Sequence, residues 1–307
     1  MCLDSLQPLL RTPALPFPVD GHYDDSLSCL QDLFSIGHVI GSGAFGVVRR
    51  ATRRSDEAPV AIKYVAKNRA RHLKFVTIDC PTGPHRFPAE VLTSGMVAGT
   101  PGLLSLLGFY ELEEQYVYVF QRLKNGDDLF EYLHRHWITP NRYYLEGSMV
   151  RRLFRQIVNV VGLCYLQRIV HRDLKVENLM IDMSDLTVRL IDFGAAAVVK
   201  DTLFSDFNGT GVDAPPEYVV TRRYHGWPQT AWCLGIILHH LAYGDRPFDN
   251  DEEILAGLKG SKFDKRPPAY HISTSCRSLI EWLLQGNPSR RPASCNQILS
   301  HAFLRGL

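Results

Sequence analysis

Long apolar runs are missing from this 307-residue chain: the stretch from Ala231 to Leu238 ends at His239 and His240, too short to span a bilayer as a helix. Net charge is nearly absent too, since 34 lysines and arginines face 32 acids to leave +2. The chain as a whole therefore attracts neither nucleic acid nor an anionic membrane, and charge recognition has to be local. Cysteine is sparse and scattered, at Cys2, Cys29, Cys80, Cys164, Cys233, Cys276 and Cys295, without the spacing of a metal site. That pattern suits reduced thiols in the cytoplasm, with the nucleus as the other compatible compartment. The first 33 residues have neither a basic start nor an unbroken apolar core, and Pro8, Pro13, Pro16 and Pro18 interrupt them. A flexible tail over residues 1–33 is expected there, not a signal peptide. Without a secretion signal, the sequon at Asn208, Gly209 and Thr210 is incidental. No internal repeat or low-complexity block interrupts the rest, and 45% hydrophobic content is ample for a core.

What is present is an ordered series of short polar strings. His171, Arg172, Asp173, Leu174 and Lys175 precede Asn178, and Asp192, Phe193 and Gly194 begin fourteen residues after that asparagine. Moving a γ-phosphoryl group needs a base to orient a hydroxyl, oxygen ligands for magnesium and fixed positive charge on the phosphates. Asp173 is the candidate base and Lys175 the candidate charge. Asn178 and Asp192 offer the hard oxygen atoms that Mg2+ prefers. A lone His-Arg-Asp is more often a loop with a solvated ion pair, so the inference rests on the series.

The series extends toward the N-terminus. Ile40, Gly41, Ser42, Gly43, Ala44, Phe45, Gly46 and Val48 contain G-x-G-x-x-G-x-V, and the strand-like Val60, Ala61, Ile62 and Lys63 follow. A dinucleotide-binding unit would place a helix directly after the third glycine and an acid about 20 residues on. Here Val47 to Thr52 alternate like a second strand and Asp56 arrives early, so a hairpin folded over phosphates is expected. That excludes a dinucleotide-dependent oxidoreductase. Lys63 needs a carboxylate to hold it. Glu90 is the candidate, at a helix start marked by Phe87, Pro88 and Ala89, with the proline in the first turn. Taken alone, Glu90 reads as a surface acid favoured by the helix dipole.

The chain's periodicities supply the frame. Short β-rich runs around one helix occupy about Leu33 to Arg122, and Tyr116 to Phe120 reads as a buried strand leading into the polar Lys124, Asn125 and Gly126. Beyond, Val150, Leu153, Ile157, Val161 and Cys164 recur at helical spacing on one apolar face. Helices are also expected through Trp232–Leu241, Leu279–Leu284 and Ala293–Leu299. The fold class is α+β, with a β-rich N-lobe over 34–122, a hinge at 121–126 and an α-rich C-lobe over 127–304, the two lobes sharing a cleft.

Residues 34 to 304 resemble eukaryotic protein kinases throughout, and more narrowly the Pim serine/threonine kinases. The Pim-like wording lies in Pro81 to Pro84, in Asp128, Leu129 and Phe130, in Lys200 to Thr202 and Asp206 to Thr210, in Pro215 to Glu217, and in Gly244 to Phe248 running into Asp251 to Ile254. The resemblance implies transfer of the γ-phosphoryl of ATP, with Mg2+, to serine and threonine hydroxyls of protein substrates by a monomer. Ile40 to Gly46, Val48, Ala61, Lys63, Phe120, Gln121, Leu123 and Asp128 would line the nucleotide, Phe120 as a bulky gatekeeper.

Further expectations come with the family. Glu217 should pair with Arg291 as a buried bridge, and Thr210 should bond near Asp173 and Lys175. Thr230 stands where most kinases carry an aspartate, which Pim kinases also lack. Leu123 replaces a Pim proline and restores an amide donor toward adenine. Asp201 and Asp206 could neutralise Arg172 in place of a phosphate on Thr202 or Ser205, giving an enzyme active as synthesised. Asp128, Glu131, Glu177, Asp245, Asp249 and Asp251 align with or flank the acids by which Pim kinases read basic peptides. Val176 and Arg246 depart from that pattern and would relax or shift the preference. Catalytically weak scaffolds commonly lack one of Lys63, Glu90, Asp173, Asn178 or Asp192, and all are present here. The basic Lys67, Arg69, Arg71 and Lys74 read as a solvated loop before the helix of Glu90.

Overall fold

The computed structural model describes residues 27–43, 46–68, 73–80, 83–138, 145–207, 209, 211–257 and 272–306. They fall into two compact units divided between Gly126 and Asp127. The first is rich in β-structure and the second in helix, the mixed α+β class that the periodicities imply.

The first unit opens with helix α1 (Leu27–Leu33), followed by strands β1 (Phe34–Gly43), β2 (Gly46–Arg53) and β3 (Pro59–Ala66). A hairpin of β4 (Phe75–Cys80) and β5 (Gly83–Pro88) leads into α2 (Ala89–Met96), and β6 (Leu106–Glu111) and β7 (Gln115–Gln121) complete the unit. Five strands form one antiparallel sheet in the order β1-β2-β3-β7-β6. Alternation along β7 explains why the whole strand reads as apolar. Val117 and Val119 enter a cluster with Leu30, Val60 and Ile62, whereas Tyr116 and Tyr118 enter another with Val65, Val91 and Phe109. Both faces of the sheet are thus covered. Lys63 lies opposite Tyr118 in register, which turns it toward the face that carries α2.

Two expectations are corrected here. Residues 27–33, placed in the flexible tail, form α1, and Leu30 is only 1% exposed in the core. About two turns of helix are too short for their apolar spacing to stand out from the proline-rich neighbours. Pro88 closes β5 and caps α2, so it precedes the first helical turn. Its fixed φ of −55° with ψ of 137° suits an extended cap.

Strand β8 (Gly126–Asp128) carries the chain across that division, and the second unit continues with α3 (Leu129–Ile138) and α4 (Gly147–Leu166). Val150, Leu153, Ile157, Val161 and Cys164 are all buried along α4, as their spacing requires. A loop region of short strands follows: β9 (Ile169–Val170), β10 (Leu179–Asp182), β11 (Thr187–Leu190) and β12 (Ala197–Val198). Then come α5 (Pro216–Thr221), α6 (Gly226–Tyr243), α7 (Asp251–Gly257), α8 (Thr274–Leu283), α9 (Cys295–Leu299) and α10 (Ala302–Arg305). Helix α6 is buried almost all round, from Gln229 through Leu241, and stops at Gly244, whose φ of 78° favours glycine. It is the central rod of this unit. Among the described residues, no helix is long and apolar enough to cross a membrane.

Candidate active site

Each unit gathers one group of the expected residues. In the first, Lys63 Nζ lies 2.8 Å from Glu90 Oε1, with side chains 15% and 3% exposed. The Tyr118 ring sits 5.4 Å from the same ammonium. Burial, followed by the charge of Glu90, pushes the Tyr118 phenol above its ordinary pKa, so it stays neutral. A lysine on a β-strand would normally face solvent; this one is held by a buried carboxylate from the first turn of α2. The surface reading of Glu90 is therefore excluded.

Strand register assembles the rest of that group. Gly41 pairs with Val48, Val48 with Lys63, and Lys63 with Tyr118, a row across four strands. Ala61 pairs with Phe120, whose ring stacks on Tyr118 at 6.2 Å. Ile40, Ser42 and Gly43 extend β1 beside the row and are exposed. Ala44 and Phe45 lie outside the described residues. Gly46 has a reason of its own to be glycine. Its φ is +136°, and a Cβ there would come within 2.0 Å of the Tyr64 carbonyl oxygen. Close approach of β2 to β3 demands it, whatever binds above.

At the end of β7, the Gln121 amide donates to Ser105 O at 2.9 Å and the Arg122 amide to Pro59 O at 3.3 Å. No hydrogen bond from the Leu123 amide is found among the described residues. The turn beyond is tight, since a Cβ on Gly126 would meet Leu123 Cβ at 2.5 Å.

The second unit carries the other group. Asn178 Nδ2 donates to both Asp173 O at 2.7 Å and Asp173 Oδ2 at 2.9 Å, and Lys175 Nζ lies 2.9 Å from the same Oδ2. These bonds turn the Asn178 amide so that its nitrogen faces Asp173 and its oxygen faces elsewhere. His171 ties the loop to the next one: Nε2 donates to Ile191 O at 2.9 Å, leaving Nδ1 to accept from the Asp173 amide at 3.4 Å. Phe193 packs edge-on against the imidazole at 4.9 Å. Burial drives the His171 pKa below its ordinary value, so the ring is a neutral strut. The Ile191 amide donates to Asn178 O at 3.0 Å, so the segment that leads into Asp192 is tied to the loop of Asp173 and Lys175. Asp192 takes a left-handed φ of 62° and accepts the Gly194 amide at 3.1 Å. That conformation is uncommon for a residue with a Cβ, and the surrounding bonds hold it.

Could this group hold magnesium? No cluster of three or more His, Cys, Asp or Glu side chains suited to a metal occurs among the described residues. One carboxylate and one amide oxygen are what Mg2+ takes from a protein when waters and substrate phosphates complete its shell. Asn178 and Asp192 fit that description.

Arg172, beside Asp173, is 1% exposed and also left-handed, with φ of 70°. Its Nε donates to Tyr224 Oη at 2.9 Å, and one terminal nitrogen lies 3.0 Å from Asp206 Oδ2 and also reaches the Asp206 carbonyl. The Phe204 ring covers the guanidinium at 4.6 Å. Asp206 therefore meets Arg172, and no contact joins Arg172 to the exposed Asp201. Thr202 and Ser205 are exposed; Thr210 lies outside the described residues.

Glu217 and Arg291 form the expected bridge, a two-pronged pair at 2.8 and 2.7 Å. Arg291 also donates to Pro228 O and Gln285 O and stacks on Trp232. Thr230, in place of an aspartate, bonds Gly226 O of its own helix. Its neighbour Gln229 reaches the loop of His171 to Asn178 instead, donating from Nε2 to Arg172 O at 3.4 Å. Sequence reasoning missed Gln229 and Tyr224. Two successive polar residues inside an otherwise apolar helix were the available signal, because buried polar groups are kept for the bonds they make.

The six acids are not equivalent. Asp128 accepts the amides of Phe130 and Glu131 and so caps α3, while burial raises its pKa. Asp245 Oδ1 accepts the Arg246 amide at 2.8 Å. Glu177 Oε1 is 2.5 Å from Arg246, so that arginine, next to Asp245 in the chain, is ion-paired with Glu177. Glu131, Asp249 and Asp251 are exposed.

Residues 34–304 match the family profile described as "Protein kinase domain". The chain is 35% identical over 279 residues to serine/threonine-protein kinase pim-2 of Danio rerio, covering 88% of this chain and 84% of that protein. It is 30% identical to serine/threonine-protein kinase prk-2 of Caenorhabditis elegans, over 94% of this chain and 62% of that one. It is also 31% identical to NUAK family SNF1-like kinase 1 of Mus musculus, over 89% of this chain and 38% of the longer relative.

Proposed function

The chain belongs to the protein kinase family, in its serine/threonine branch, and from that premise we propose that it transfers the γ-phosphoryl of ATP to serine and threonine hydroxyls of proteins. The observation that carries this reading is the convergence of Lys175 Nζ and Asn178 Nδ2 on one carboxylate oxygen of Asp173, with the segment that leads into Asp192 bonded to Asn178. Asp173 accepts the hydroxyl proton as the substrate oxygen attacks the γ-phosphorus and the bond to the β-phosphate oxygen breaks, releasing ADP. Lys175 offsets the negative charge in transfer. Lys63, kept in line by Glu90, holds the α- and β-phosphates, and the Leu123 amide donates to adenine. Asn178 and Asp192 hold Mg2+, which neutralises charge on the phosphates when bound.

The enzyme works without phosphorylation of Thr202 or Ser205, because Arg172 already has a carboxylate partner in Asp206. Its substrates carry basic residues near the target hydroxyl, read mainly by the exposed Glu131, Asp249 and Asp251. It acts as a monomer in the cytoplasm, with access to the nucleus. The free, buried thiols of Cys164, Cys233 and Cys276 support a reducing compartment.

The test is transfer of labelled phosphate from ATP with Mg2+ to an arrayed serine and threonine peptide library, using protein made in a host without protein kinases. Turnover should begin without a lag, and Asp173→Asn should lower kcat by about 10²- to 10⁴-fold. No transfer by the parent chain, or equal transfer by Asp173→Asn, refutes the reading.

A further inference from the structure

A cavity of about 420 Å³ in the second unit is lined by Phe130, His134, Glu177, His240, Asp245 and Arg246. Its apolar wall is aromatic: Phe130 stacks on His134 at 6.0 Å and meets His240 edge-on at 5.9 Å. Burial takes the His240 pKa down to about 4, so that ring is uncharged near neutral pH. The cavity's polar side is Glu177, Asp245 and Arg246, with the buried Asp213 behind the arginine. Arg246 reaches Glu177 Oε1 at 2.5 Å through one terminal nitrogen and Asp213 Oδ1 at 3.9 Å through the other.

Asp213 is 5% exposed on its side chain, and neither of its carboxylate oxygens has a hydrogen-bond partner among the described residues. The second oxygen of Glu177 is likewise buried and unbonded. Burial raises the Asp213 pKa to about 6, opposed by the charge of Arg246. Two acids that lack other donors thus depend on one guanidinium for compensation. A basic side chain brought by a substrate would compete for the same oxygens.

We propose that Arg246 is a specificity-determining residue, an internal arginine that occupies the Glu177 and Asp213 carboxylates and removes the demand for a basic side chain at that point of the substrate. This rests on the kinase reading above. Basic selection is left to the exposed acids, and the chain tolerates a neutral residue where Glu177 would otherwise require a cation. Loss of Arg246 turns the cavity into an acidic receptor for a guanidinium.

The experiment compares kcat/KM for a serine peptide without arginine and for a set in which one arginine is moved through each flanking position. Parent, Glu177→Gln, Arg246→Ala, Arg246→Lys and the Arg246→Ala, Glu177→Gln double variant are measured, with melting temperatures for each. In Arg246→Ala the arginine-to-neutral ratio should rise about fivefold or more at one position, and Glu177→Gln on top should erase the gain. Arg246→Lys keeps the charge and should match the parent. Glu177→Gln alone should leave every ratio within about twofold. This last measurement needs no disruption of Arg246: if Glu177→Gln collapses the preference of the parent, substrate arginine reaches Glu177 and the proposal is overturned. Unchanged ratios in a folded Arg246→Ala overturn it as well. Absence of transfer by the parent chain to every peptide of the set would defeat the kinase reading itself, a distinct result; transfer to arginine peptides with none to the arginine-free one overturns the proposal alone.

Discussion

Replacing Asp206 by asparagine removes one charge from the clamp on Arg172 while keeping the side chain's size and an oxygen acceptor. Removing one partner of a fully buried ion pair costs about 3 to 5 kcal/mol. Here the guanidinium is buried but the Asp206 side chain is 39% exposed, so water screens part of the attraction. The bonds to Tyr224 and to the Asp206 carbonyl also survive. A loss of about 1 to 2 kcal/mol is expected, or roughly 2 to 8 °C in melting temperature for a unit of this size. Arg172 adjoins Asp173, so a loosened clamp displaces the base, and kcat/KM should fall about 5- to 30-fold. Asp201→Asn is the matched control, exposed and without contact to Arg172, and should change neither quantity. Differential scanning fluorimetry and steady-state kinetics with one peptide read both effects. An Asp206→Asn protein indistinguishable from the parent, or a larger effect from Asp201→Asn, would refute the reasoning.

Leu123→Pro removes the amide donor assigned to adenine, worth about 0.5 to 1.5 kcal/mol, so the Kd for ATP should weaken up to about tenfold by calorimetric titration. Equal affinities would remove Leu123 from the nucleotide site. Arg291→Met leaves Glu217 without its partner; a stability loss of about 3 to 5 kcal/mol is expected by denaturant unfolding, and a loss under about 1 kcal/mol would mean that the bridge is not essential. Gly46→Ala should reduce soluble yield and melting temperature before any effect on nucleotide binding, because its Cβ collides with the Tyr64 carbonyl. A variant as stable as the parent, weakened only toward ATP, would assign Gly46 to the phosphates alone.

Much of the site was legible because its chemistry is confined to short strings: Asp173, Lys175 and Asn178 lie within six residues and fold onto each other through one turn of 3₁₀ helix. Lys63 and Glu90 were paired from order along the chain, and the sheet register then explains the encounter. The ties between distant segments were harder to see. Tyr224 reaches Arg172 across 52 residues and Arg246 reaches Glu177 across 69, contacts that no local period records. Arg246 also shows how charge alone misleads: its neighbour in the chain is Asp245, and its partner in the fold is Glu177. Helix α1 escaped because seven residues carry little periodic signal.

That short helix separates two ways of delimiting the catalytic unit. Similarity to the family starts at Phe34, yet Leu30 fills space beside Phe34, Val60, Ile62 and Val119. A fragment cut at the first matched residue would carry a leucine-sized hole under its own sheet, on the order of 2 to 5 kcal/mol weaker than the longer chain. Where packing ends, and not where resemblance ends, is the safer place to trim this kinase-family chain for crystallisation or screening.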